Sequence, residues 1–430
     1  MQQEEDALSR YEFCTISAQE LDEFSAHHPQ GNFQQTSQMG ALRRDDGVEV
    51  ESVGVRQNGT LVAAAQVETH RSSLSTFCEV HDGPLCDFHD EELVRTFTEG
   101  VRNIARSKGA AQVSISPEYV FRERTSEGDA LPADEGGLPD IESFTSLRRA
   151  GFEHDGFTRG YTAVPRWRYV KDVDGFGSTN ELLSSYSKNT RRNVRIAQNS
   201  AVHVRRLGRE ELDVFHDVCS LSCERQGFQN RDLAYFQKIF DDFGEQAEFL
   251  AAYIDMDAYV ESWKRKQAGY LADIKKLTAS REGSSHPQSV DKKIASAQQA
   301  YESSFRRLEQ AQEYIERDGR QPVVAVGLFI WHEREAVYLF SGSDDRYAKF
   351  YAPTALQHHV MSACLERGVD RYNFYGIDGV FDDPDDPGRG VLEFKQGFNG
   401  HVVEMPGEFT LVVRPVVYRA KRLAHKLLGR

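Results

Sequence analysis

Two widely separated parts of the chain carry the same succession of apolar strand, amphipathic helix and strand. The first consists of GTLVAAAQV (59–67), EELVRTFTEGVRNIARSKG (91–109) and AAQVSIS (110–116), and the second of PVVAVGLFIWHEREAVYLFSGS (322–343), APTALQHHVMSACLERG (352–368) and VDRYNFYG (369–376). Each helical pattern ends at a glycine, Gly109 or Gly368, and glycine suits the left-handed residue that follows a helix. The repetition predicts a duplicated unit, and therefore an α+β fold built of α/β layers.

The length of the chain agrees with a duplication. A single hydrophobic core stops growing at about 250–300 residues, and this chain has 430. We therefore expect two domains, a first over residues 1–165 and a second over residues 166–430.

A seven-residue apolar repeat crosses the second domain. Its positions alternate steps of four and three on both sides of a polar turn, REGSSHPQS (281–289): Met256, Val260, Trp263, Gln267, Tyr270, Ile274 and Leu277, then Val290, Ile294, Ala297, Tyr301, Ser304, Leu308, Ala311 and Ile315. The pattern predicts an antiparallel coiled-coil arm over 256–320, with helices roughly 30–40 Å long at ~1.5 Å per residue. Gln267 and Ser304 are expected to weaken the seam without breaking it. The alternative is two ordinary surface helices.

Charge and composition indicate a cytoplasmic protein. The formal net charge is −15, and no apolar run approaches the roughly 18–20 residues that span a bilayer. The first residues, MQQEEDALSR, are polar and acidic, unlike a secretory signal. The six cysteines are accordingly expected to be reduced.

Two cysteine spacings resemble metal-ligand pairs. CEVH and CDFH supply Cys78, His81, Cys86 and His89, while Cys219 and Cys223 would share one face of a helix. A structural zinc site needs four side chains that converge tetrahedrally. A strand, a turn through Gly83-Pro84 and a second segment explain the first pattern equally well, and we expect no metal site.

One basic stretch, SKNTRRNVRIAQNSAVHVRRL (187–207), contains six cations and no carboxylate. On a helix Lys188, Arg192 and Arg195 share one face with Arg191 beside them. A phosphate backbone would suit such a face. Acidic residues from elsewhere in the chain are an alternative partner, and the spacing leaves both interpretations open.

A lysine near the C-terminus is a candidate catalytic residue. Lys395 lies between Phe394 and Phe398 in GVLEFKQGFNG (390–400), where it could be partly desolvated and stabilise the oxyanion of an acyl transfer. The alternative is a strand lysine whose ammonium group reaches solvent. The chain has no G-x-S-x-G elbow, no H-E-x-x-H motif and no phosphate-binding loop of the G-x-x-x-x-G-K-[ST] type.

The C-terminal segment RPVVYRAKRLAHKLLGR (414–430) is basic and amphipathic. Such a segment is compatible with an anionic membrane surface. It is equally compatible with a helix that docks on the protein and exposes its basic side.

Several long segments resemble the Fem family, the non-ribosomal peptidyltransferases that build peptidoglycan interpeptide bridges. They are NFQQTSQMGALRR, DGPLCDF, RAGFEHDGFTRGYTAVPRWRYVKDV, YSKNTRRNVRIAQNSAVHVRRL, FSGSDDRYAKFYAPTALQHHVM and RYNFYGIDGVFDDPDDPGRGVLEFKQGFNGHVVEMPGEFTLVVRPVVY. The resemblance implies two tandem GNAT-like (acetyltransferase-like) domains with a coiled-coil arm inserted in the second. It also implies an aminoacyl-tRNA co-substrate, no cofactor, and a lipid-linked or nucleotide-linked peptidoglycan precursor as acceptor. We assign the basic stretch to tRNA rather than to the precursor diphosphate.

The resemblance also implies site residues. Lys395 matches the family lysine that stabilises the oxyanion, with Phe394 beside it, and Arg43, Arg231 and Tyr235 match positions that hold the precursor. Arg44 is adjacent to Arg43, so the register there is open by one residue. Phe340 stands where a relative has a tyrosine that contacts substrate, and its missing hydroxyl indicates a different acceptor.

Two other functions remain as alternatives. An acyl-CoA-dependent N-acyltransferase would fit the acetyltransferase-like units, but neither half has the [RQ]-x-x-G-x-[GA] loop that cradles a pyrophosphate at a helix N-terminus. A non-catalytic factor that binds tRNA or the precursor would also use the arm and the basic stretch. The basic C-terminus favours peripheral contact with the inner face of the plasma membrane.

Overall fold

The computed structural model describes residues 10–72, 75–162, 164–227 and 229–427, except for the side chains of 421 and 423–427. The strands of these residues are β1 (Tyr11–Thr15), β2 (Glu49–Gln57), β3 (Thr60–Arg71), β4 (Thr76–Val80), β5 (Gln112–Ile115), β6 (Arg122–Arg124), β7 (Glu153–His154), β8 (Trp167–Asp172), β9 (Val202–Arg206), β10 (Ala247–Ile254), β11 (Val323–Trp331), β12 (Glu335–Ser343), β13 (Arg371–Ile377), β14 (His401–Glu404) and β15 (Phe409–Val412). The α-helices are α1 (Ala18–His27), α2 (Ser37–Asp45), α3 (Glu91–Ser107), α4 (Ile141–Arg149), α5 (Thr179–Ser185), α6 (Lys188–Asn199), α7 (Leu212–Gln226), α8 (Leu233–Phe243), α9 (Met256–Ser280), α10 (Pro287–Asp318), α11 (Ala352–Arg367), α12 (Arg389–Gln396) and α13 (Pro415–Leu427).

The strands form two sheets with the same core topology. Their orders are β1-β2-β3-β4-β5-β15-β7 and β6-β14-β8-β13-β12-β11-β10-β9. In each sheet four antiparallel strands lead through one long helix to a strand that pairs in parallel: β1 to β4, α3 and β5 in the first, and β9 to β12, α11 and β13 in the second. The duplicated unit and the mixed α/β fold class are confirmed.

Two strands pair with the sheet that lies on the other side of the expected boundary between residues 165 and 166. Strand β6 joins the second sheet through β14, and β15 joins the first sheet between β5 and β7. The two units therefore exchange strands, so that the chain on each side of the boundary contributes to both cores.

The crossover helices end where their glycines predict. Gly109 and Gly368 have φ angles of +71° and +69°, the left-handed conformation in which a side chain is disfavoured. The backbone N–H of Gly368 donates to the carbonyl of Cys364 and closes the last turn of α11. A strand follows each glycine, because the apolar residues that come next pair with the neighbouring strand.

The heptad repeat forms a coiled-coil arm of α9 and α10. The arm connects β10 to β11, two strands that pair with each other, and α10 begins at Pro287, a residue that is favoured in the first turn of a helix. Gln267 donates from Nε2 to Oγ of Ser304 over 3.0 Å, and Ser304 is fully buried. The two polar residues of the seam thus form a hydrogen bond with each other between the two helices of the arm.

Candidate active site

Strands β12 and β13 diverge and leave an opening in the second sheet. They pair only between 335–337 and 371–373, although β12 continues to Ser343 and β13 to Ile377. The register of β13 against β8 also shifts between Asn373 and Gly376. Ligands of open α/β sheets bind at the carboxyl ends of diverging strands, so this opening is a candidate ligand site.

Lys395 lies at this opening. It belongs to α12, and its Nζ donates to the backbone carbonyls of Gly376 at 2.6 Å and Tyr375 at 3.5 Å. The residue is 4% exposed. Burial lowers the pKa of Lys395 to about 7, although the charge of Asp378 acts in the opposite direction. The alternative of a strand lysine that reaches solvent is wrong, because Lys395 lies on a helix and its ammonium is held by β13 carbonyls.

Phe394 supports the same helix from its other side. Its ring makes an edge-to-face contact with Phe398, with centroids 5.5 Å apart, and it packs against the core of the second sheet. Phe398 is fully buried. Phe394 is half-buried, so it anchors α12 and remains partly available to a ligand.

Asp378 is a site residue that sequence reasoning missed. It is 6% exposed, and its pKa is raised by burial and by a hydrogen bond with Asp386. Its Oδ1 accepts from the backbone N–H of Val380 over 3.0 Å. No sequence motif identifies Asp378, because its position near Lys395 depends on the turn that follows β13.

Arg43, Arg231, Tyr235 and Phe340 come together from three elements, α2, α8 and β12, and from the loop before α8. Arg231 precedes α8 and lies 5.1 Å from the ring centroid of Tyr235, and the Tyr235 ring packs edge-on against Phe340 on β12 with centroids 6.0 Å apart. Burial raises the pKa of Tyr235, against the charges of Arg231 and Arg43. Arg231, Tyr235 and Phe340 are therefore in contact, and Arg43 acts electrostatically on Tyr235. Their role in substrate binding stays a prediction.

The neighbouring side chains of Arg43 and Arg44 make different contacts. Arg43 lies on α2, donates from Nε to Oε1 of Glu68 at 3.2 Å and acts on Tyr235 electrostatically. Arg44 instead reaches the carbonyl of Val50 at 3.5 Å. Arg43 is the member of the pair that belongs to this cluster.

Tyr375 connects the lysine to the arginine cluster. Its carbonyl accepts from Lys395, while its ring packs edge-on against Phe33 with centroids 6.2 Å apart. That ring belongs to the same apolar cluster as Tyr235 and Phe340. Tyr375 has a φ of +61°, an uncommon conformation for a non-glycine residue that costs backbone strain and occurs often at functional sites.

The basic stretch forms helix α6 and exposes its cations. Lys188, Arg192 and Arg195 are exposed and Arg191 is half-buried, where it donates to the carbonyl of Ser184 at 2.7 Å. Within the part of the chain that the structure describes, none of these four cations has a carboxylate within 4.0 Å. Among the described residues no acid therefore neutralises this face, and the binding of a phosphate backbone there stays a prediction.

Helix α6 starts beside the lysine. The backbone N–H of Ser187, its N-cap, donates to the carbonyl of Gly397 at 3.0 Å, two residues after Lys395. Arg205 and Arg206 of the same stretch lie on β9 and are engaged elsewhere, Arg205 with Glu211 and Arg206 with backbone carbonyls. The free cations are thus concentrated on α6.

The cysteine–histidine spacing does not assemble a metal site. Cys78 and Cys86 are fully buried, and exposed His89 approaches Asp140 at 3.3 Å. Of the residues described, no group of three or more converging metal-ligand side chains includes a cysteine. All six cysteines are free.

Comparisons with known proteins agree over nearly the whole chain. Residues 16–426 match the FemAB family. The aminoacyltransferase FemA of Staphylococcus aureus strain MRSA252 is 26% identical over 422 residues, which cover 97% of this chain and 99% of FemA. FemA of strain N315 is 25% identical with the same coverage. The crystal structure of FemX has the same fold, with a TM-score of 0.78 and 22% identity over 95% of this chain and 99% of that chain.

Proposed function

The chain belongs to the FemAB family, and we propose that it transfers an aminoacyl group from a tRNA to an amino group of a peptidoglycan precursor. As in the FemA relatives that it resembles, the enzyme is an aminoacyltransferase. The observation that carries the assignment of the site is the buried ammonium of Lys395 at the separating strand pair, directly beside a helix whose cations pair with no described carboxylate.

The proposed reaction is the aminolysis of an ester. The amine nitrogen of the stem peptide, or of a growing bridge, attacks the carbonyl carbon of the aminoacyl ester and gives a tetrahedral oxyanion. The bond between that carbon and the ribose oxygen then breaks, an amide forms, and the proton lost by the amine ends on the ribose hydroxyl. Because the ester stores the driving force, the protein contributes mainly by positioning two large substrates and stabilising charge.

Lys395 supplies the stabilising charge in this scheme. A buried ammonium interacts with a developing oxyanion far more strongly than an exposed one, because little water screens it. Its two carbonyl partners on β13 fix the position of Nζ before substrate arrives. An ammonium with three donors keeps one donor for the reacting oxygen.

The two substrates are assigned to opposite sides of Lys395. Arg43 and Arg231, with Tyr235 and Phe340, are proposed to bind the phosphates and stem of the precursor. Lys188, Arg191, Arg192 and Arg195 are proposed to bind the tRNA backbone, which would place the acylated end at the start of α6. The coiled-coil arm of α9 and α10 offers a second surface to the tRNA.

A transfer assay tests this function. Purified protein receives lipid-linked or nucleotide-linked precursor and tRNAs charged with radiolabelled Gly, Ala, Ser or Thr, with labelled acyl-CoA as a parallel donor. We expect label in the precursor from one charged tRNA and none from acyl-CoA. Binding of both substrates without transfer from any donor would support the non-catalytic factor, and transfer from acyl-CoA alone would support the acyl-CoA enzyme.

A peripheral membrane contact through α13 is a further part of the proposal. Among the described residues, no helix is long and apolar enough to cross a bilayer. Helix α13 spans Pro415–Leu427, and part of the basic segment 414–430 lies outside the described residues. Deletion of 419–430 should lower binding to anionic liposomes in sedimentation assays, with neutral liposomes as control. Unchanged binding to the anionic liposomes would remove α13 from this role.

A further inference from the structure

Two glutamates and two histidines converge on one face of the first sheet. Strand β3 carries Glu68 and His70, while Glu79 lies on β4 and His81 immediately after it. Residues two apart on a strand point to the same face, and Glu68 is the direct antiparallel partner of Glu79. The chain therefore presents the pattern Glu-x-His twice on a single patch.

Ligand atoms of Glu68, His70 and His81 all lie within 4.8 Å of one another, which is the spacing of a metal site, and Glu79 borders this group through both histidines. Nε2 of His70 lies 3.1 Å from Oε2 of Glu68 and 3.2 Å from Oε2 of Glu79. Nε2 of His81 lies 3.8 Å and 3.5 Å from the same two oxygens. Neighbouring ligands of a four-coordinate zinc ion are about 3.3 Å apart, since each bond to the metal is about 2.0–2.1 Å long. Each imidazole of the patch thus approaches both carboxylates, and each carboxylate approaches both imidazoles.

The charge of the patch also favours a cation. Like charges that face each other across a ladder destabilise a sheet, and the Glu68 side chain is 5% exposed. Arg43 pairs with Oε1 of Glu68, which leaves Oε2 directed at the histidines. The side chains of His70, Glu79 and His81 are 26%, 28% and 21% exposed, so an ion can enter from solution.

We propose that Glu68, His70 and His81 bind a divalent transition-metal ion of the Zn²⁺ type, and that the neighbouring Glu79 supplies the fourth ligand. Two imidazoles and two carboxylates suit Zn²⁺, whereas Mg²⁺ and Ca²⁺ take oxygen ligands. The ring of His70 stacks on Phe77 with centroids 5.1 Å apart. The sequence alone predicted no metal site. Glu68 and His70 lie on β3, outside the cysteine–histidine spacing, and only the fold brings them beside His81.

Metal binding to the full-length protein without an affinity tag tests the site. Metal-free protein is titrated with Zn²⁺ against a chromophoric chelator and, separately, with Co²⁺, whose visible absorption is weak in water and intense in four-coordinate sites. We expect one ion per chain and an intense Co²⁺ spectrum without the near-ultraviolet band of thiolate ligands. H70Q and H81Q should each lower the affinity by more than the roughly 10–100-fold that loss of an outer-shell partner costs.

The variant H89Q is the matched control, because it removes a histidine of the cysteine–histidine spacing and leaves the patch intact. It should bind Zn²⁺ like the unaltered protein. Circular dichroism shows whether each variant is folded, and the Co²⁺ spectrum of the unaltered protein needs no variant at all. A six-coordinate spectrum like that of aqueous Co²⁺, or equal affinity in the unaltered protein and the H70Q/H81Q double variant, would overturn the proposal. Protonated histidines would then be what neutralises the two glutamates.

Discussion

The two halves of the duplicated fold differ at one decisive place. In the first half, β4 and β5 pair in parallel over 78–80 and 113–115, up to the last residue of both strands. In the second half, β12 and β13 pair over three residues and then separate, although both strands continue. A repeated topology therefore supplies two equivalent strand pairs, and of these two the second separates before its strands end.

The opening depends on a local irregularity of β13. The register shift after Asn373 and the left-handed backbone of Tyr375 turn two carbonyls toward α12, and these carbonyls hold Lys395. Bulges of this kind redirect side chains next to active sites. The proposed site therefore lies where the repeat is disrupted rather than where it is regular.

The largest expected effect comes from removing the buried lysine. K395A should lower turnover by roughly 10²–10³-fold, by analogy with the loss of one oxyanion donor, in the transfer assay with saturating substrates. K108A is the matched control from the first half, where Lys108 pairs with Glu49 and Glu51 at the end of α3. Near-normal turnover of K395A, or an equal loss in K108A, would contradict the assignment of the reaction to the second half.

The burial of Lys395 should lower the free energy of unfolding at neutral pH. Burial holds the pKa of Lys395 at about 7, far below the 10.5 of an exposed lysine, so the unfolded chain binds more protons between these pH values. The contribution of Lys395 to the free energy of unfolding is therefore least favourable below pH 7 and improves as the pH rises toward 10.5. K395M should be more stable than the unaltered protein at pH 7, and the gain should shrink by pH 10.

Urea unfolding at the two pH values measures this difference. K108M serves as the control, because Lys108 is held by carboxylates and its pKa is raised rather than lowered. A K395M variant that is less stable than the unaltered protein at pH 7 would mean that the hydrogen bonds of Nζ outweigh the desolvation of its charge.

Helix α6 gives the second half a face of cations that no described carboxylate neutralises. The double charge reversal R191E/R192E should weaken tRNA binding and reduce the salt dependence of the affinity, by about 0.7–0.9 in the logarithmic slope for each phosphate that the variant no longer neutralises. Filter binding at several salt concentrations gives the slope. The control R209E alters an arginine that already pairs with Asp241, and an unchanged slope in R191E/R192E would remove α6 from tRNA binding.

The smallest effect is expected at Phe340 on the edge of the opening. F340Y adds a hydroxyl beside Tyr235, and one hydrogen bond is worth about 0.5–1.5 kcal/mol. We therefore expect KM for a nucleotide-linked precursor to fall by about tenfold at most, with kcat unchanged, in steady-state assays. A large loss of kcat instead would show that Phe340 serves the packing of β12 and α8.

Much of the fold was predictable because its signals are local. The heptad positions, the glycines after α3 and α11 and the strand–helix–strand repeat each depend on spacing within a few residues. Lys395 illustrates the limit of that reasoning. Its neighbours and the family resemblance identify it, but its burial depends on carbonyls 19 and 20 residues earlier. The exchange of β6 and β15 between the sheets likewise has no local signal, since pairing partners lie far apart in the chain.

A structure of the protein with both substrates in place would decide whether Lys395 serves the reaction. A stable amide analogue of an aminoacylated tRNA end would be bound together with the peptidoglycan precursor. We predict that the aminoacyl carbonyl oxygen lies within hydrogen-bonding distance of Nζ of Lys395, in the opening between β12 and β13, with the tRNA backbone along α6. An aminoacyl group bound against β4 and β5 of the first half, with Lys395 remote from the carbonyl, would contradict this assignment.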